Sequence, residues 1–138
     1  MMNVNGETVL YFYIREDAND ARAVQVAISL AVALTRRVGM HILGCDTLID
    51  ADGTLHHVGA STHVQYVDRE TIRAIRKLAM REGFLHTDCT TESFEVQRTR
   101  TFSDTRDKDL DYQGVCVLGP ELLLASRLGT LFPTTTRA

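Results

Sequence analysis

The segment between Asn19 and Arg37 most narrows what this chain can fold into. Ala23 to Leu34 is its longest apolar stretch, interrupted only by the uncharged Gln25 and Ser29. A bilayer span needs roughly 20 apolar residues, so the stretch is too short to cross a membrane and reads as a core helix. Arg15-Glu16-Asp17-Ala18-Asn19-Asp20 supplies cap-type residues and early negative charge. Arg36-Arg37 followed by Gly39 supplies a cationic last turn and a stop. A helix over about 19–37 fits between them. Its stripe of Val24, Ala27, Ile28, Ala31 and Leu34 is joined by a second one of Val26, Leu30 and Ala33, which leaves a narrow polar side. Such a helix calls for cover on more than one face, by its own sheet and by either a C-terminal segment or a neighbouring subunit.

The remaining segments supply that sheet. Val9 to Ile14 is β-branched and aromatic and reads as a buried strand. Met40–Ile49 and Thr54–Val58 flank Asp50-Ala51-Asp52-Gly53, a hairpin signal. A four-residue loop there sets Leu48 beside Leu55 and Asp46 beside His57; a three-residue loop breaks both pairs. After the Gly59-Ala60-Ser61 break, Thr62–Val67 extends the sheet. Asp68 caps a second helix through Glu82, with Ile72, Ile75, Leu78 and Ala79 facing the core and Gly83 as its stop. Phe94 to Phe102 alternates, with Glu95, Gln97, Thr99 and Thr101 on one side and Phe94, Val96, Arg98, Arg100 and Phe102 on the other, the pattern of a long strand. Tyr112–Leu118 reads as a last strand and Pro120–Leu128 as a short helix.

This order predicts an α+β two-layer sandwich of ferredoxin-like βαββαβ type, two helices on one face of the sheet, with an extra C-terminal strand and short helix. At 138 residues the chain forms one domain over 1–138; the tail, 133–138, is expected to fray.

Composition and charge exclude several function classes. A formal charge of −3 gives no global reason to expect nucleic acid. Cys45, Cys89 and Cys116 are odd in number and widely spaced, the usage of a reducing compartment. The N-terminus lacks a basic region followed by an apolar one, so no secretory signal is expected, and the expected location is the cytoplasm, without a membrane.

Candidate chemistry is sparse. Arg98 and Arg100, two apart on one strand face, would present two guanidinium forks to a phosphate or carboxylate; otherwise they pair with Asp104, Asp107, Asp109 or Asp111. The second helix carries a basic side of Arg69, Arg73, Arg76, Lys77 and Arg81, but no interleaved aromatics that would favour nucleic acid over a solvated face. His57 with Asp46, or His56 with Cys45, could form two-residue sets. His56 and His57 point to opposite sides of a strand, so no metal is expected. His86-Thr87-Asp88-Cys89 places a base, an acid and a nucleophile in one predicted loop. The aspartate runs at 50–53 and 107–111 lack the glycine and glutamate spacing of a calcium loop. Phosphate-loop, dinucleotide, nucleophile-elbow and zinc-protease motifs are absent, and no cofactor is implied. The sequence therefore points to a small self-associating protein, a homo-oligomer through its sheet edge or first helix, that holds an anionic small molecule at Arg98 and Arg100. Its alternatives are an enzyme built on His57 or His86 with Asp46, Asp88 or Cys89, and a protein inhibitor or adaptor.

Overall fold

The computed structural model describes residues 8–39, 46–59 and 61–129. In chain order they form β1 (Thr8–Arg15), α1 (Asp20–Val38), β2 (Asp46–Ile49), β3 (Leu55–Val58), β4 (Ser61–Val67), α2 (Arg69–Glu82), β5 (Leu85–Thr90), α3 (Arg98–Asp104), β6 (Tyr112–Pro120) and α4 (Glu121–Gly129). Cys45, the 40–45 part of the expected strand, Ala60 of the small-residue break and the 133–138 tail lie outside the described residues.

Four strands make one sheet in the order β4-β1-β6-β5. β1 and β4 are parallel, with Tyr11 opposite His63, while β6 runs against both β1 and β5. β5 consequently points the same way as β1 and β4. The fold is mixed α+β, but it differs from the expected two-layer, ferredoxin-like sandwich in two respects. First, β2 and β3 form a separate two-stranded ladder instead of joining the sheet. They are four residues each, with Leu48, Ile49 and Leu55 exposed, and both sides of β1 are already taken by β4 and β6.

Second, the helices cover both faces of the sheet, giving three layers. Leu10, Phe12 and Ile14 of β1 pack with Ala23, Val26, Leu30 and Leu34 of α1, whereas Val9 and Tyr13 pack with Ile72, Ile75 and Leu78 of α2 and Leu124 and Leu128 of α4. A strand that is apolar on both sides must be covered on both, and the unbroken run Val9–Ile14 has this property. The approach of α1 is close. A Cβ on Gly114 of β6 would stand 2.6 Å from Val26 Cγ1 and 3.1 Å from the Tyr13 carbonyl oxygen.

Local signals set the helix ends as expected. The Asn19 side chain accepts from the Arg22 N–H, and the Asp68 side chain accepts from the Thr71 N–H. Gly83 ends α2 in the left-handed region, at φ 76°. The buried residues of α2 are Ile72, Ile75, Leu78 and Ala79, the face read from its periodicity.

Three local expectations change. The hairpin has a three-residue loop: Asp50 and Thr54 are bonded across it, Gly53 sits at φ 81°, and the Asp50 carboxylate accepts from the Asp52 and Thr54 N–H groups. The register therefore slips by one, pairing Leu55 with Ile49, His57 with Thr47 and Asp46 with Val58. The Asx turn at Asp50 and the left-handed Gly53 favour the shorter loop, and its register still gives Leu55 an apolar partner in Ile49. Residues 86–89, expected as loop, lie within edge strand β5. The expected strand Phe94–Phe102 is instead a 3-10 turn over Thr91–Phe94 followed by α3. Both sides of β6 are occupied, and Val96 is fully exposed, so the alternation marks no buried face. The hydroxyls of Thr101, Ser103 and Thr105 instead donate to carbonyls four residues back.

Candidate functional site

The chain leaves β1 toward α1 on one face and leaves β4 toward α2 on the other. In open α/β sheets such a switch between neighbouring strands opens a crevice beyond their carboxyl ends, where ligands are commonly held. Here that end of the sheet carries a dense polar cluster. Arg15, at the end of β1, grips Asp17 with Nε and Nη2 at 2.9 and 2.7 Å and donates through Nη1 to Asp111 at 2.8 Å and to the Tyr112 carbonyl at 3.0 Å. Asp111 also accepts from the Thr91 hydroxyl at 2.5 Å and from Gln113 Nε2 at 3.1 Å, and its own N–H donates to Glu92. Burial pushes the Asp111 carboxyl up, but the Thr91 and Arg15 bonds outweigh it and hold the group below the usual carboxylate range.

Arg69, Arg73 and Arg76 stand at i, i+4 and i+7 on α2 and so share one side of the helix. The basic side of α2 is therefore engaged along this stretch by the loop before β6. Arg69 donates to the Lys108 and Leu110 carbonyls at 3.2 and 2.9 Å. Arg73 and Arg76 reach one carboxylate, Asp107, at 3.5 and 3.3 Å, and the Tyr112 hydroxyl donates to the same group. Arg76 also holds Asp88 of β5 through Nε at 3.0 Å and lies over the Tyr112 ring. The Tyr112 hydroxyl foremost, then the charges of Arg76 and Arg73, keep the Asp107 carboxyl low, while burial and the Asp107 contact push the Tyr112 phenol up. The Nε atoms of Arg69 and Arg73 are buried and have no acceptor among the described residues.

Asp107 is a half-exposed acid of this cluster. It begins a short 3-10 turn, Asp107–Asp109, and its side chain is 44% exposed. Two guanidinium groups and a phenol directed at one carboxylate are a donor set that suits phosphate or carboxylate oxygens, and Asp107 occupies it. Arg76 and Asp88 also line a groove of about 630 Å³ that continues along β5 past Met80, Phe84, Leu85 and His86 to Arg37. That volume lies within the usual range for small-molecule sites.

The residues singled out from the sequence are distributed differently from this cluster. Arg98 and Arg100 lie on α3, where two positions apart is roughly 200° around the helix. Both are exposed, and Arg100 approaches Asp104 at 3.9 Å, so the helix turns the two forks apart. His57 is exposed opposite Thr47, and Asp46 lies opposite Val58 rather than opposite His57. On the hairpin it is His56 that meets a carboxylate, at 2.7 Å from Asp50. His86 contacts the Phe84 carbonyl through Nδ1 and lines the groove, whereas Cys89, one register step out of phase, is buried on the α1 face beside Ser93. Burial raises the Cys89 thiol and pushes Cys116 up to about 12, the reverse of what a nucleophile requires. Among the described residues no group of three histidine, cysteine or acidic side chains is placed to hold a metal.

The sequence reading missed Arg15, Asp107, Asp111 and Tyr112 as site residues, although two signals were available. One was the i, i+4, i+7 spacing of Arg69, Arg73 and Arg76, and the other was the run of aspartates at 107–111 just before a strand. Joining them required knowing that α2 packs beside the start of β6.

Residues 11–131 match the family described as "Protein of unknown function (DUF2000)". The fold is similar to a solved structure of the protein of unknown function Atu0240 from Agrobacterium tumefaciens strain C58. The TM-score is 0.73 and the identity 15%, over 95% of this chain and 98% of that one. No curated protein matches the sequence.

Proposed function

The chain belongs to the DUF2000 family, and we propose that it is a small binding protein whose ligand carries a phosphate or carboxylate, held between Arg73 and Arg76 of α2. One observation carries this reading: two arginines and the Tyr112 hydroxyl converge on the half-exposed Asp107 carboxylate beside a groove of small-molecule size. The ligand anion takes the place of Asp107, and its remaining part lies along Met80, Phe84 and Leu85. Arg98 and Arg100 stay as the competing location on α3. The free, buried thiols of Cys89 and Cys116 support a cytoplasmic setting. Among the described residues no helix is long and apolar enough to cross a membrane.

Calorimetric titration with inorganic phosphate, small dicarboxylates and nucleoside phosphates tests the site. Saturable binding should weaken about tenfold or more in Arg76→Gln, since a charge-assisted pair contributes about 1.5–3 kcal/mol, and should strengthen in Asp107→Asn. Binding that vanishes instead when Arg98 and Arg100 are both replaced by alanine would move the site to α3. No binding of any of these anions by either the native protein or Asp107→Asn would end the proposal.

A further inference from the structure

Of the two long helices, α1 is the one whose outer face lacks the usual polar cover. Its sheet-facing residues Ala23, Val26, Leu30, Leu34 and Val38 are buried, yet Val24, Ile28 and Val32, spaced at i, i+4 and i+8, are 58%, 59% and 55% exposed. From Ala23 to Thr35 there is no charged residue. Single exposed apolar side chains are ordinary, but a continuous uncharged ridge over more than three turns is the signature of a surface that is covered in use. Two shallow depressions flank the Val24 end of the ridge. One is lined by Ala21, Gln25 and Ile28 and the other by Ala27, Val64 and Tyr66, the last two from edge strand β4.

The charges at the ends of the ridge identify the occupant. Glu16 and Asp20 lie at or just before the N-terminal end and Arg36 lies in the last turn, whereas Asp17 and Arg37 are engaged within the chain by Arg15 and by the His86 carbonyl. The intervening Arg22 is turned toward the body, over the Phe94 ring at 4.8 Å. Val24 and Val32 are equidistant in sequence from Ile28, and so are Asp20 and Arg36. A surface with an apolar centre, an acidic end and a basic end is complementary to itself when reversed. We propose that α1 packs against α1 of a second copy of this chain in an antiparallel pair, with the two-fold axis passing beside Ile28. Isologous contacts of this kind are the commonest closed assembly, and ridges at i, i+4 spacing interlock readily with their own kind. Antiparallel placement brings the acidic end of each helix to the basic end of its partner and aligns the two helix dipoles favourably.

Sedimentation velocity on the full chain, over roughly 1–100 μM at physiological salt, reads the outcome directly, since this range spans dissociation constants from micromolar to about 100 μM. The native protein should sediment as a concentration-dependent dimer. Ile28→Glu sets two carboxylates against each other at the axis and should raise the dissociation constant about 100-fold. Ile28→Ser, a gentler change at the same exposed position, should also weaken the dimer while retaining the native melting transition of the monomer. Under mild oxidation, Ile28→Cys should yield a disulfide-linked pair, because a residue at the axis meets its own copy. A native protein that remains monomeric across the range overturns the proposal and leaves the ridge to a different partner. A dimer that persists in Ile28→Glu also overturns it, by placing the contact on another face.

Discussion

The two long helices rest on opposite faces of one sheet and solve the problem of their outer sides in opposite ways. α1 places apolar side chains both inward and outward and carries no charge between Ala23 and Thr35. α2 is more nearly divided: Ile72, Ile75, Leu78 and Ala79 face the core, while Arg69, Arg73 and Arg76 reach sideways to the carboxylates of β5 and the loop before β6. The contrast shows how differently the two layers are held. The α1 layer depends on the fit of shapes, and the α2 layer depends in part on ion pairs that sample pH and can exchange partners.

The largest effect should come from the shape-dependent side. Leu30→Ala removes a fully buried side chain beneath α1 and should cost about 2–5 kcal/mol in denaturant unfolding, as truncations in rigid cores do. A loss below about 1 kcal/mol would mean that α1 can settle onto the sheet and that its fit is looser than described. Gly114→Ala tests the same contact by adding volume. The new methyl group meets Val26 and the Tyr13 backbone, so about 1–3 kcal/mol should be lost, and Val26→Ala in the same chain should recover part of it.

The polar side should respond less to volume and more to pH. Arg15→Gln leaves Asp111 with Thr91, Gln113 and the more distant Arg69 as its partners, and a loss of about 1–2 kcal/mol is expected because the lost bonds are only partly shielded from water. Asp107 and Asp111 have folded-state pKa values below their unfolded ones. Their contribution is therefore complete above the ordinary aspartate value of about 3.9 and is lost as pH falls through the depressed folded-state values. Thermal melts between about pH 5 and pH 2 should show this loss, and Asp107→Asn should make the slope shallower. An unchanged slope would remove Asp107 from the cluster's balance of charges. The smallest effect belongs to Ile28→Ala. It should alter monomer stability by less than about 0.5 kcal/mol, since Ile28 lies on the outer ridge rather than in the core.

The sequence disclosed those features whose causes are local. Asn19 and Asp68 cap the helices they precede, Gly83 ends α2, and the core face of α2 was legible from its period. The three-layer arrangement was written in the six uninterrupted apolar residues of β1, but it becomes apparent only if one asks what covers each face of such a strand. β5 could not be recognised because Leu-His-Thr-Asp-Cys-Thr has neither alternation nor a β-branched run. It is a strand because β6 offers it a free side, and that is a fact about the tertiary structure. Residues 94–102 were misleading for the converse reason, an alternating pattern with no face to bury: Val96 is fully exposed and the segment turns into α3. The cluster around Asp107 and Asp111 combines both difficulties, as it joins segments some thirty to ninety residues apart through the packing of α2 beside the start of β6.

A sheet with an unpaired strand at its border is prone to runaway growth, since every exposed carbonyl can recruit another chain in the manner of amyloid. Here Arg37, at the end of α1, donates through Nη1 to the His86 carbonyl of β5 at 2.6 Å. The last turn of α1 thus occupies, with a bulky cation, a border carbonyl that an incoming strand would need.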